Sequence, residues 1–209
     1  MTSTDPGSSV RAPLIERIKN ILLNPRAEWP RIAAEPETVG SLYTNYIVPV
    51  AGFAVLCSFV SSLIGVNVLG VTYRPTYWQA LSSGVWQLVF TLGGTYVVAL
   101  VMGYLAKLFG GENNNVNALK LTAYAATAGW LSNIFLLVPG LGFLTILGIY
   151  TLYLIYTGAP VLLNVPPARA LPFTASLVAI SIVTTLLIIG LTTAFGSGGG
   201  GIPADAQRH

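Results

Sequence analysis

From residue 38 onward the chain is a series of long apolar runs separated by short polar breaks, whereas its first 37 residues alternate at helical spacing. In the stretch LIERIKNILL, apolar Leu14, Ile15, Ile18, Ile21 and Leu22 fall on one helical face. Glu16, Arg17, Lys19 and Asn20 take the other, which predicts an amphipathic helix. Asn24-Pro25 ends it, and a second short helical piece with Trp29 and Ile32 follows, limited by Pro30.

The later runs are long enough to cross a bilayer, since about 20 apolar residues at about 1.5 Å rise span a hydrocarbon core of about 30 Å. They predict spans at 46–66, 79–106, 118–138, 141–163 and 171–195. The second exceeds the apolar thickness and must tilt, kink or protrude, with Gly93-Gly94 as a kink or close-packing point. Residues 121–168 carry no charge and are too long for one helix, and Pro139-Gly140 divides them into a hairpin. Four spans result if that hairpin dips in and returns without crossing.

Composition supports a membrane protein: 54% of residues are hydrophobic and 8% charged, against about 25% charged in soluble domains. Between Thr38 and Ala204 the only charges are Arg74, Lys107, Glu112, Lys120 and Arg169. With five crossings, eight of the ten Lys and Arg residues fall on the side of the N-terminus and two on the other. Positive charge collects on the cytoplasmic side, so the N-terminus is expected inside and the C-terminus outside. The expected fold is thus an all-α polytopic transmembrane bundle of five spans. Its units are a disordered stretch at 1–12, an amphipathic cytoplasmic segment at 13–37, the membrane domain at 38–195 and a flexible Gly-rich tail at 196–209. The amphipathic segment either covers the end of the bundle or lies in the headgroup layer.

Reactive chemistry is sparse. Cys57 is the sole cysteine and His209 the sole histidine, and all seven acids lie outside the expected spans. No catalytic residue, metal ligand set or cofactor site emerges, and clustered basic charge of the kind that binds nucleic acid is absent. The candidate intramembrane polar residues are Gln87 and Asn133, accompanied by hydroxyls such as Ser58, Ser61 and Thr95. Hydrogen bonding between helices explains most of these, and a neutral polar pathway is the functional alternative. Small residues at steps of four, Ala118, Thr122 and Ala126, suit close helix packing.

Three blocks, LIERIKNILLNPRAEW, FGGENNNVNALKLTAYAATAGWL and YLIYTGAPVLLNVPPARALPFT, resemble those of the bacterial Yip1-domain family. The residues that carry the resemblance are Trp29, Gly110, Gly111, Lys120, Tyr124, Trp130, Tyr153, Tyr156, Gly158 and Pro160. It covers about residues 14–187. Where relatives often have a proline before the tryptophan of the middle block, this chain reads Ala128-Gly129-Trp130. The resemblance implies five spans, a cytoplasmic N-terminus and a place in the bacterial inner membrane. Eukaryotic relatives are associated with vesicle trafficking, Rab-type GTPases and membrane shaping, a role not transferable to bacteria, and the resemblance brings no catalytic motif or cofactor.

The function expected is therefore non-enzymatic: binding a partner protein through the N-terminal segment, or organising membrane lipid. A homo-oligomer is compatible with the packing faces. The alternative is a transporter or channel for a neutral or anionic small solute, motivated by Gln87, Asn133 and the Pro139-Gly140 break.

Overall fold

The computed structural model describes residues 12–196, apart from 69, 70, 74 and 139; the side chains of 66–74 and 188–196 are not described. The expected disorder at 1–12 and the Gly-rich tail fall almost wholly outside the described residues, as do Arg74, Pro139 and His209.

Eight α-helices follow one another: α1 (Leu14–Leu23), α2 (Pro25–Ala34), α3 (Val39–Leu42), α4 (Val48–Ile64), α5 (Tyr77–Leu108), α6 (Asn115–Ser132), α7 (Tyr150–Leu162) and α8 (Pro167–Gly196). A π-helical turn, Tyr43–Ile47, joins α3 to α4 into one apolar rod, Val39–Ile64. Two short antiparallel strands, β1 (Val66–Val68) and β2 (Val71–Tyr73), close the first connection, with Asn67 opposite Thr72.

Local chemistry sets the helix starts. Thr38 and Ser41 exchange hydrogen bonds across the first turn of α3, and Thr76 with Gln79 forms the same capping box on α5. The Asn114 side chain accepts from the amides of Val116 and Asn117 and so caps α6. Beyond Ser132 the chain tightens into 3-10 geometry at Asn133–Leu137, turns at Gly140 (φ +88°), and resumes as 3-10 helix at Gly142–Ile149 before α7. An eight-residue 3-10 stretch is long for that geometry, and Gly148 shows what it accommodates: a Cβ there would press on the Gly129 backbone of α6 at 3.3 Å.

Four segments are long and apolar enough to cross a membrane: Val39–Ile64, Tyr77–Leu108, Gly142–Leu162 and Pro167–Leu187. They correspond to the expected spans one, two, four and five. The expected third, α6, is not among them. It is the most enclosed helix, with 11 of its 18 residues buried, and it touches α1, α3, α4, α5 and α7. A helix surrounded by protein does not need the apolar surface that lipid demands. The close contact expected at Gly93-Gly94 is not seen: a Cβ at either would meet nothing within 4 Å, and α5 runs on through both residues.

One expectation for the N-terminal segment is overturned. Arg17, placed on the outer polar face from the pattern, is 2% exposed, while Ile15, placed on the apolar face, is 81% exposed. Positions 14, 18 and 21 share a face with 17, and that face meets the bundle. Neighbouring carboxylates make burial of the guanidinium tolerable.

Candidate functional site

α1 and α2 fold over one end of the bundle, hereafter the capped end, and their inward side chains join its core. Ile21, Trp29 and Ile32 are wholly buried there with Leu119, Leu121, Tyr124 and Leu154. A compact ionic cluster sits in the same layer. Arg17 donates through Nη1 to Glu28 Oε1 at 2.5 Å and through Nη2 to Glu35 Oε1. Arg31, largely exposed, reaches the second oxygen of Glu28 at 3.4 Å. Lys120 of α6 is buried too, and its ammonium donates to the carbonyls of Ile32 (2.8 Å) and Glu35 (2.6 Å) at the end of α2.

An aromatic pair underlies the charges. Tyr124 lies beneath Arg17, whose guanidinium carbon is 5.9 Å from the ring centre, and its hydroxyl reaches Glu37 at 3.5 Å. Tyr46 packs on Tyr124 at 4.3 Å between centres and shares a 2.6 Å hydrogen bond with Thr127. Three cations and three carboxylates thus meet at one level. Burial pulls the Arg17 pKa down, but the hydrogen bond and charge of Glu35, then Tyr124 and Glu28, outweigh it and raise it above the ordinary value. Arg17 remains a fixed cation, and the cluster is a structural clasp in which two buried charges are matched by geometry. Removing one partner of such a pair strands the other in a dry site.

Of the residues that carry the family resemblance, Lys120 and Tyr124 belong to the clasp and Trp29 and Gly158 pack in the same layer. Gly158 is the bed for Trp29: a Cβ there would lie 2.7 Å from the indole and 2.6 Å from Leu121. The indole N–H donates to Thr157 on the next position of α7 at 3.1 Å. Gly110 adopts φ +84°, and a Cβ on Gly111 would collide with the Leu163 carbonyl, which accepts from the Glu112 amide at 2.8 Å. These two glycines lock the α5–α6 turn onto the end of α7. Lys120 and Tyr124 are in the clasp itself. Tyr153 and Tyr156 are exposed on α7, and Pro160 lies one turn beyond Tyr156.

Trp130 lines a partly open cavity of about 390 Å³ between α5, α6, α7 and α8, together with Thr95, Met102, Thr122, Thr151 and Ser181. Three of those hydroxyls donate to carbonyls of their own helices: Thr95 to Thr91, Thr122 to Ala118 and Ser181 to Leu177. The two candidate polar residues are not brought together. Gln87 is exposed on the outside of α5, and Asn133 is half-buried, its amide 3.5 Å from the Ser58 hydroxyl of α4. Neither lines the cavity. Among the described residues no group of three His, Cys, Asp or Glu side chains could hold a metal ion.

Sequence reasoning missed Arg17, Glu28, Glu35, Glu37, Tyr46 and Thr127 as a set. The available signal was Arg17 at i−4 to Ile21, on the buried face.

A family model described as the Yip1 domain matches residues 19–189. The chain is also similar to the inner membrane protein YohC of Escherichia coli K12, 26% identical over 184 residues that cover 85% of this chain and 94% of the relative. The counterpart from Escherichia coli O6:H1 strain CFT073 matches with the same figures. No solved structure matches.

Proposed function

The chain belongs to the Yip1 domain family, and from that premise we propose a non-enzymatic, multi-pass inner-membrane protein that organises lipid of the cytoplasmic leaflet through its N-terminal segment. The name of the E. coli relatives, an inner membrane protein, supports the compartment. Five crossings follow if α6 and its 3-10 extension traverse the bilayer. Eighteen α residues and five 3-10 residues reach about 35 Å, more than the hydrocarbon thickness. The count of basic residues then puts the capped end in the cytoplasm.

One observation carries the lipid reading. The Trp29 indole of α2 bonds to Thr157, while the Leu22 carbonyl at the end of α1 accepts from the Tyr150 hydroxyl at 3.0 Å. Thr157 and Tyr150 lie seven residues apart on α7, so the tip of α1 is anchored about 10 Å further along the bundle than α2. Leu23 at that tip is 67% exposed. A tip anchored at that depth is a wedge among acyl chains, comparable with the about 5–10 Å insertion of interfacial helices.

The test uses substitution, because deleting α1 would remove Ile21 from the core. A nitroxide at Leu23→Cys in a Cys57→Ser background, in proteoliposomes, should be more accessible to oxygen than to a water-soluble nickel chelate. The same label at Glu16→Cys should show the reverse. Equal access of the chelate to both positions would remove the lipid reading and favour a docked protein partner.

The cavity among α5–α8 favours a second reading, a conduit for a small neutral or anionic solute. Ala126, which lines it, gives the test: Ala126→Trp should abolish any proteoliposome flux that the unmodified chain supports. Absence of flux above empty vesicles across a solute panel counts against this reading.

A further inference from the structure

We propose that Arg26 and Tyr156 form a binding site for the phosphate of an anionic phospholipid at the capped end, a proposal that rests on the lipid-organising reading and specifies its ligand. The two residues share the wall of a cavity of about 270 Å³ with Thr157, Pro160, Pro167 and Ala170, where α2 meets the end of α7 and the start of α8.

Arg26 is the basic residue that lines this cavity, and like exposed Lys19 of α1 it is without a protein partner among the described residues. Arg17 and Arg31 are paired with carboxylates, Lys120 is held by carbonyls, and Arg169 donates to the Phe109 carbonyl. Arg26 is exposed, has no hydrogen bond or ion pair among the described residues, and faces a cavity with no acidic residue in its wall. Tyr156 supplies a phenol that is likewise without a hydrogen-bond partner. The Thr157 hydroxyl is already engaged, accepting from Trp29 and directed to the carbonyls of Tyr153 and Leu154. The cavity therefore offers one guanidinium and one phenolic donor, the donor set for a phosphate oxygen pair.

Its position selects a lipid as the source of that phosphate. Leu23, three residues before Arg26, is the exposed wedge, and Leu171 beside the opposite wall is also largely exposed. An arginine just beyond such apolar surface lays its stem along apolar neighbours and extends its head to the phosphate layer, and Pro160 and Pro167 are the apolar residues that share its cavity. Tyrosine favours the same level, and anionic lipid adds attraction for the cation.

The full chain is reconstituted in nanodiscs containing equal phosphatidylcholine and phosphatidylglycerol, released in the gas phase, and its retained lipids counted by native mass spectrometry. The unmodified protein should retain phosphatidylglycerol in preference. Arg26→Gln should lower that retention about tenfold and Tyr156→Phe severalfold, in line with loss of charge-assisted and neutral hydrogen bonds. Lys107→Gln, an exposed cation on another turn, should leave it unchanged. Equal retention of both lipids by the unmodified protein, or undiminished retention in Arg26→Gln, would overturn the site. Displacement of the lipid by millimolar inorganic phosphate would overturn the lipid as its source. Failure here with Leu23 still inserted leaves the wedge standing, whereas a water-exposed Leu23 with retained lipid preference removes the wedge and leaves the site.

Discussion

The capped end and the opposite end of the bundle are built by different rules. At the capped end the largest fully buried side chains gather: Trp29, Arg17, Tyr46, Tyr124, Phe173, Ile21 and Ile32. At the other end the two 3-10 segments bury none of their residues, and Phe143 is 68% exposed. Lipid tails are as apolar as leucine, so the second region has no solvent-driven reason to close a core. The first must exclude water around polar termini, and it does so with matched charges, hydrogen-bonded aromatics and glycine-bedded contacts. Specific packing is concentrated where a polar segment meets the bundle.

Substitutions can break that contrast or sharpen it. Arg17→Met should cost about 3–5 kcal/mol in mixed-micelle unfolding, because it strands Glu28 and Glu35, and Glu28→Gln added to it should recover part of the loss. Gly158→Val comes next, at about 1–3 kcal/mol, since the new methyls enter the space of a wholly buried indole; the same titration and a shift in Trp29 fluorescence would show it. Tyr46→Phe removes the hydrogen bond to Thr127 and should cost about 0.5–1.5 kcal/mol. Phe143→Leu at the opposite end should lie within about 0.5 kcal/mol of the unmodified protein. If Phe143→Leu proved as costly as Gly158→Val, the two ends would not differ as described.

The same contrast explains what could be read from the chain alone. Segments facing lipid are legible, because lipid rewards uninterrupted apolarity, and α4, α5, α7 and α8 fall where the uncharged runs lie. α6 was found from the sparseness of charge, yet its composition falls short of an apolar span because its neighbours, rather than lipid, surround it. The clasp was not legible. Arg17 and Glu28 are 11 residues apart, and Lys120 meets Ile32 across 88, distances at which no periodicity reports contact. A charge read as outward was in truth the centre of the inward face. Several glycine and aromatic residues of the family resemblance lie in or near this region, but resemblance alone does not say what each one touches.

The clasp also imposes an order on biosynthesis. Among the described residues, the partners that hold α1 and α2 to the bundle lie later in the chain: Lys120, Tyr124, Tyr150, Thr157 and Gly158. At about 5–20 residues per second, the N-terminal segment leaves the ribosome several seconds or more before its seat is complete. During that interval Ile21, Trp29 and Ile32 have no bundle to enter, and the nearest apolar surface is the membrane itself. The nascent segment therefore meets lipid before it meets its own helices: the clasp closes only once α6 is in place, and Trp29 is seated only once α7 follows.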